Sequence, residues 1–259
     1  MFKYVLKRLL LMLFTLTVIC SICFVLIHLL PDAPILKGIG IDPELQAMRN
    51  EAEGLNDSIF QQYYRYFGNI VIYGYFGLGI RMYKNSSVLQ IIGSKLPYTI
   101  VVNLYSILIS IPIGLIYGII AALKKNKWID HVISTGVIIV VSVPSYVYAF
   151  LVQYFLCYKL GWFDLQIKSL ENTKFISFNM FKSMLPAVLS LSFGTIAGLT
   201  RYTRAELSEV LTGEYMLLAR TKGLTKTQAT TRHAMKNAMV VILPMIIGEF
   251  IGILSGSLV

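Results

Sequence analysis

A single carboxylate, Glu249, sits inside the last apolar run of this 259-residue chain, in the stretch MVVILPMIIGEFIGILSG. A carboxylate there can carry a proton or accept hydrogen bonds. Placing a charge at that depth in hydrocarbon costs at least ~2.5–3.5 kcal/mol, so the group is expected to face a helix bundle or a wet cavity. Gly248, Gly252 and Gly256 form a small-residue stripe on the adjoining face, which favours the inward orientation. Two roles stay open for Glu249: lining a translocation path, or serving as a neutral, hydrogen-bonded structural group. A second polar island, EYMLLARTKGLTKTQATTRHAMKNA at 214–238, lies between apolar runs and is rich in Arg, Lys and Thr. Other chemistries are excluded. Cys20-Ser-Ile-Cys23 spells C-x-x-C, but both thiols and Cys157 fall in apolar helices with no activating base, so redox work is not expected. No metal-ligand set is expected, and no G-x-x-x-x-G-K-[ST] phosphate loop occurs, so the chain is not expected to hydrolyse ATP by that route.

The elements that must position these groups follow from composition. Hydrophobic residues make up 56% and charged residues 14%, against roughly 25% charged in soluble domains; mean hydropathy is +0.68. A helix needs about 20 apolar residues to cross the hydrocarbon core. Five runs qualify: 9–30, 98–123, 132–158, 184–199 (short unless it extends) and 238–259. Lipid leaves no water for exposed backbone groups, so helices are expected. The fold class is an all-α membrane protein, a multi-span helical bundle. The first run is too long for a secretory h-region and lacks a cleavage site, so it reads as a retained span.

Three regions are expected: a first span at 1–30, an external loop at 31–97, and core helices at 98–259 that include a polar loop at 201–237. The external loop has zero net charge, a short helix expected after Asp42-Pro43, and the aromatic stretch SIFQQYYRYFGNIVIYGYFGLG suited to a membrane interface. Gly114 and Gly118, Gly194 and Gly198, then Gly248, Gly252 and Gly256 recur at four-residue spacing, which lets helix backbones approach. Pro112, Pro144 and Pro244 allow kinks. With the N-terminus inside, the inner segments hold 13 basic and four acidic residues, the outer ones 10 and eight. That bias orients the N-terminus to the cytoplasm, and it accounts for the formal charge of +10 through topology, not nucleic-acid binding.

Within the polar island, 214–222 reads as a short helix with Glu214 at its start and Arg220 and Lys222 at its end, as the helix dipole favours. Gly223 supplies the stop. Thr225 and Gln228 then form a capping box that opens a helix continuing through His233 and Asn237 into the last span. The product is a helix–turn–helix tethered to the membrane at both ends. It has no scaffold for entering a DNA groove, so DNA binding is excluded.

This island resembles the cytoplasmic coupling loop of permeases from binding-protein-dependent ABC importers, in the oligopeptide, dipeptide and nickel family. The matching residues are Glu214-Tyr215-Met216, Ala219-Arg220-Thr221-Lys222-Gly223-Leu224 and Arg232-His233-Ala234-Met235-Lys236-Asn237-Ala238. YVLKRLLLM, KLPYTI, GIIAALKKNKWID, PSYVYAF and YKLGWF, in that order, resemble the family's first-permease type. The resemblance implies a heterodimer with a second permease, two cytoplasmic ATPases that bind ATP and Mg, and an extracellular or periplasmic substrate-binding protein. No cofactor is expected in this chain. Glu214, Tyr215, Ala219, Arg220, Lys222, Gly223 and Leu224 would form the helix seated in the ATPase. Leu217-Leu218-Ala219 stand where the wider importer motif begins Glu-Ala-Ala, as is usual for this subfamily. The family has six spans and this chain shows five, which is expected of a fragment. Oligopeptides are the implied cargo, with dipeptides or nickel chelates as alternatives. Two readings from other classes are a secondary transporter with Glu249 as proton carrier and a membrane peptide sensor.

Overall fold

The computed structural model describes residues 1–29, 44, 48, 51, 54, 56–79, 83, 86–168 and 177–253; the side chains of Tyr215, Arg220 and Lys226 lie outside that description. All regular elements among these residues are helical, apart from one antiparallel bridge between Leu78 and Ser87. The chain divides into two compact units, Met1–Lys95 and Leu96–Val259.

The first unit holds α1 (Phe2–Leu29) and α2 (Ile59–Tyr73). Along its apolar length α1 buries almost no side chains, as suits a helix whose solvent is lipid. Phe24 is the exception, closed in by Tyr63, Tyr66 and Phe67 of α2. Two hydrogen bonds fix this pairing. Ser21 Oγ and Tyr63 OH lie 2.6 Å apart, and His28 Nε2 lies 3.1 Å from Gln62 Oε1. A capping box of Ser58 and Gln61 starts α2, and Gly74, at φ +61°, ends it. The helix expected after Asp42-Pro43 falls largely outside the described residues.

The second unit is built on α3 (Val88–Leu123), within which the boundary between the units falls, and α6 (Phe178–Thr212). Between them in sequence come α4 (Trp128–Ser142) and α5 (Ser145–Val152), the latter running into a π-helical stretch, Gln153–Lys159. The short helices α7 (Glu214–Thr221) and α8 (Lys226–Ala229) follow α6. A π turn, Thr230–Ala234, then leads into α9 (Met235–Gly252). Four helices are long and apolar enough to cross a membrane: Phe2–Leu29, Val88–Leu123, Phe178–Thr212 and Thr227–Gly252. A bent pair brings the number to five if it counts as one span.

That pair corrects the expectation of one continuous span over 132–158. The axis turns by 99° between Trp128–Ser142 and Ser145–Lys159. Pro144 is the cause: its ring pushes Val143 out of the helical region, to ψ 127°, and it offers no N–H to the preceding turn. By contrast, α3 runs through Pro112 and α9 through Pro244 without a break. The run at 184–199, short for a span, gains length at both ends to give the 35 residues of α6.

A seam of small residues joins α3 to α6. Ser106, Ser110, Gly114 and Gly118 recur every four residues on α3, and each is buried. Ser110 Oγ donates to Ser192 O (3.3 Å), and Thr200 Oγ1 donates to Gly114 O (3.3 Å). A Cβ at Gly118 would lie 2.5 Å from Cβ of Thr203, and one at Gly114 would lie 2.8 Å from Cβ of Leu199. Backbones this close require glycine, as expected for these two. Gly198, Gly248 and Gly252 have nothing within 4 Å of such an atom among the described residues, so they do not serve close packing against them.

Candidate functional site

The polar island folds as a capped, two-helix elbow. Gly213 breaks the path from α6 into α7, and Met216 N–H donates to Gly213 O (3.1 Å). At the far end Gly223 adopts φ +81°, the left-handed conformation that glycine enters without steric cost. Leu224 N–H then reaches back to Ala219 O (3.2 Å), the bond of a Schellman stop. Thr225 N–H donates to Gln228 Oε1 (3.2 Å) and Gln228 N–H to Thr225 Oγ1 (3.3 Å), the capping box expected from the spacing. Thr225→Ala should cost about 1 kcal/mol of local stability. Hydrogen exchange at the amides of 226–229 should quicken about fivefold while the α3 and α6 amides stay unchanged.

Burial sorts the residues of this elbow. Met216 and Ala219 are each 3% exposed and join Leu199, Leu207, Ala229, Ala234, Ala238 and Ile242 in one core, with Leu224 packed against it. Glu214, Thr221, Lys222 and Gly223 are exposed. So are Leu217 and Leu218, at 66% and 54%. Of the residues singled out from sequence, Ala219 and Leu224 therefore look inward and hold the helix to the bundle, while Glu214, Lys222 and Gly223 look outward. The Tyr215 and Arg220 side chains lie outside the described residues. The outward apolar pair Leu217 and Leu218 was not singled out, although two adjacent leucines beside Ala219 on an eight-residue helix cannot all turn inward.

Sequence reading also missed an ion pair beneath the elbow. Asp130, in the first turn of α4, is 1% exposed. Arg204 of α6 meets it with two hydrogen bonds, Nη2 to Oδ2 (2.7 Å) and Nε to Oδ1. Such two-point contacts are the strongest guanidinium–carboxylate geometry. The Asn126 N–H (2.9 Å) and the Ser134 hydroxyl (3.2 Å) fill the remaining acceptor positions. Asn126, at φ +62°, shapes the tight α3–α4 turn that delivers its N–H to the carboxylate. One buried carboxylate thus ties together the α3–α4 turn, the start of α4, and α6 two turns before the elbow. Only the position of Asp130 at a helix start hinted at it; its partner lies 74 residues away.

Glu249 lies apart from the elbow, on α9. It lines an open cleft of about 470 Å³ together with Asn103 and Ser106 of α3, Thr195 of α6, and Gly248 and Gly252 of α9. Thr195 Oγ1 donates to Glu249 Oε2 at 3.5 Å.

The family described as "Binding-protein-dependent transport system inner membrane component" matches residues 114–259, and its companion N-terminal component matches residues 1–103. The chain is 30% identical to the dipeptide transport system permease protein DppB of Lactococcus lactis subsp. cremoris, over 99% of this chain and 80% of that protein. It is also 30% identical to the oligopeptide transport system permease protein AppB of Bacillus subtilis, over 97% of this chain and 81% of the relative. Identity to the glutathione transport system permease protein GsiC of Escherichia coli K12 is 28%, over all of this chain and 81% of the relative. The chain therefore belongs to the inner-membrane component family of binding-protein-dependent transport systems, as a multi-pass permease subunit of the ABC importer type and not an enzyme.

Proposed function

We propose that the chain is one of two permease halves of an ATP-driven importer that carries oligopeptides inward, with its N-terminus in the cytoplasm and α7 as the element moved by partner ATPases. Those partners hold ATP and Mg, and an extracellular or periplasmic binding protein delivers cargo; the membrane is the remaining partner, and no nucleic acid takes part. The observation that supports this reading best is the two-sided character of α7. Met216 and Ala219 bury one face in the bundle, and Leu217 and Leu218 leave an apolar pair exposed on the other. Among the described residues nothing in this chain covers that pair. Such a helix, fixed at one end to α6 and at the other through the 225–234 turn to α9, moves both when pushed. Domain closure of the ATPases against α7 would tilt α6 and α9, and through Asp130 and Arg204 would carry α4 along. Dipeptides are a second reading for the cargo, favoured by the name of a relative with 30% identity.

The test is uptake by the assembled transporter in liposomes. Gly223→Pro forbids φ +81°, because proline holds φ near −65°. Arg220→Glu reverses a charge on the same helix. Each should lower ATP-driven peptide uptake at least tenfold while both permeases still purify together. Uptake at the wild-type rate with either substitution overturns the coupling role.

A further inference from the structure

The cleft around Glu249 has a chemistry that the coupling machinery does not use. Its wall contains one charged residue, Glu249, among the described residues. The hydrogen-bond donors around that carboxylate are already engaged within the protein. Asn103 Nδ2 donates to Thr99 O (2.9 Å) and Ile253 O (3.4 Å), and Thr195 Oγ1 donates to Glu249 itself. Ser106 Oγ is paired with Ser192 Oγ at 3.2 Å. A carboxylate offers about four acceptor positions, and a single long bond from Thr195 leaves most of them open. What the cleft presents is acceptor capacity and one negative charge. Its volume of about 470 Å³ falls within the about 300–1,000 Å³ of small-molecule sites. Gly248 and Gly252 line the same cleft, and no atom of the described residues lies within 4 Å of where their Cβ atoms would stand.

A bare metal ion is a poor occupant, because no group of three or more His, Cys, Asp and Glu side chains capable of holding one occurs among the described residues. A primary ammonium needs only one carboxylate and supplies three donors. We infer that this cleft is a way-station for the N-terminal ammonium of a peptide, with Glu249 as its counter-charge during translocation. The inference rests on the peptide-importer reading. It makes Glu249 a specificity-determining residue of the membrane path, separate from whatever the binding protein selects.

The experiment uses the complete transporter in liposomes with saturating, unaltered binding protein. Two probes are compared: trialanine, and its analogue with a hydroxyl in place of the α-amino group. For each probe the ratio of wild-type to Glu249→Gln uptake is measured, so that any preference of the binding protein cancels within the ratio. The expected ratio is at least tenfold for trialanine and close to one for the hydroxyl analogue. Glu249→Asp should restore part of the trialanine rate, and ATP hydrolysis stimulated by the binding protein should persist in Glu249→Gln, lowering peptide delivered per ATP. Equal ratios for the two probes overturn the ammonium assignment, whether both are large, as for a proton carrier, or both are near one. Loss of stimulated ATP hydrolysis together with uptake also overturns it, because that marks a structural role. Failure of the wild-type transporter to take up either probe, with another solute carried instead, is a different result and removes the peptide reading itself.

Discussion

Arg204→Ala is expected to destabilise the permease by about 3 kcal/mol, the lower end for a buried ion pair stripped of one partner, because Asp130 is buried while the Arg204 side chain is 32% exposed. Asp130 is 1% exposed with the arginine in place, and the alanine leaves its carboxylate only the Asn126 N–H and the Ser134 hydroxyl as described protein donors. The penalty comes from that stranded charge more than from the lost attraction. A double-mutant cycle therefore gives a sharper expectation: Asp130→Ala combined with Arg204→Ala should be more stable than Arg204→Ala alone. Thermal unfolding of the purified complex in detergent, followed by loss of the monodisperse species, reads both. Arg204→Lys should recover only part of the stability, since an ammonium cannot make the two-point contact. A single Arg204→Ala variant within 1 kcal/mol of wild type would show that the pair is dispensable. The pair joins the α3–α4 turn to α6, the helix that the proposed coupling mechanism tilts. A milder loss of stability should therefore still appear as weakened coupling between ATP hydrolysis and uptake.

Gly118→Leu should prevent assembly of the bundle. Even a Cβ at this position would sit 2.5 Å from Cβ of Thr203 and 2.9 Å from the Thr200 carbonyl oxygen, and a backbone oxygen cannot rotate away. Overpacking typically costs about 1–3 kcal/mol, occasionally more, for modest additions, so Gly118→Ala belongs in that range and leucine beyond it. Gly198→Ala is the internal control. It lies on α6, the helix packed against that seam, with nothing within 4 Å of its Cβ position. It should be neutral or stabilising by up to about 1 kcal/mol, since alanine is the better helix former. Expression and monodispersity of the two alanine variants, measured side by side, separate the readings. Equal behaviour would mean that the α3–α6 seam tolerates separation.

These two sites show where sequence reading reaches and where it stops. Helix content, the capping box at Thr225 and Gln228, and the left-handed stop at Gly223 were legible because each depends on contacts within five residues. Hydropathy fixes helices in lipid for the same local reason: the backbone must satisfy itself. The motif order from Tyr4 to Ala238 was enough to suggest the family that the comparisons then showed. Tertiary structure alone decided the rest. Three glycine groups share the same four-residue spacing, yet among the described glycines of these groups only Gly114 and Gly118 lie so close to a neighbouring helix that a Cβ would clash. Spacing places a residue on a face of its own helix and says nothing about what lies opposite. The Asp130–Arg204 pair is invisible for the same reason, as is the division of α7 into an inner Met216/Ala219 face and an outer Leu217/Leu218 face. Pro144 breaks its helix, whereas Pro112 and Pro244 do not, although all three lie in apolar runs of similar composition. Local sequence therefore determined which segments are helices and how their ends are tied. Packing between distant segments determined which polar groups are buried as partners and which, like Glu249, are left facing an open cleft.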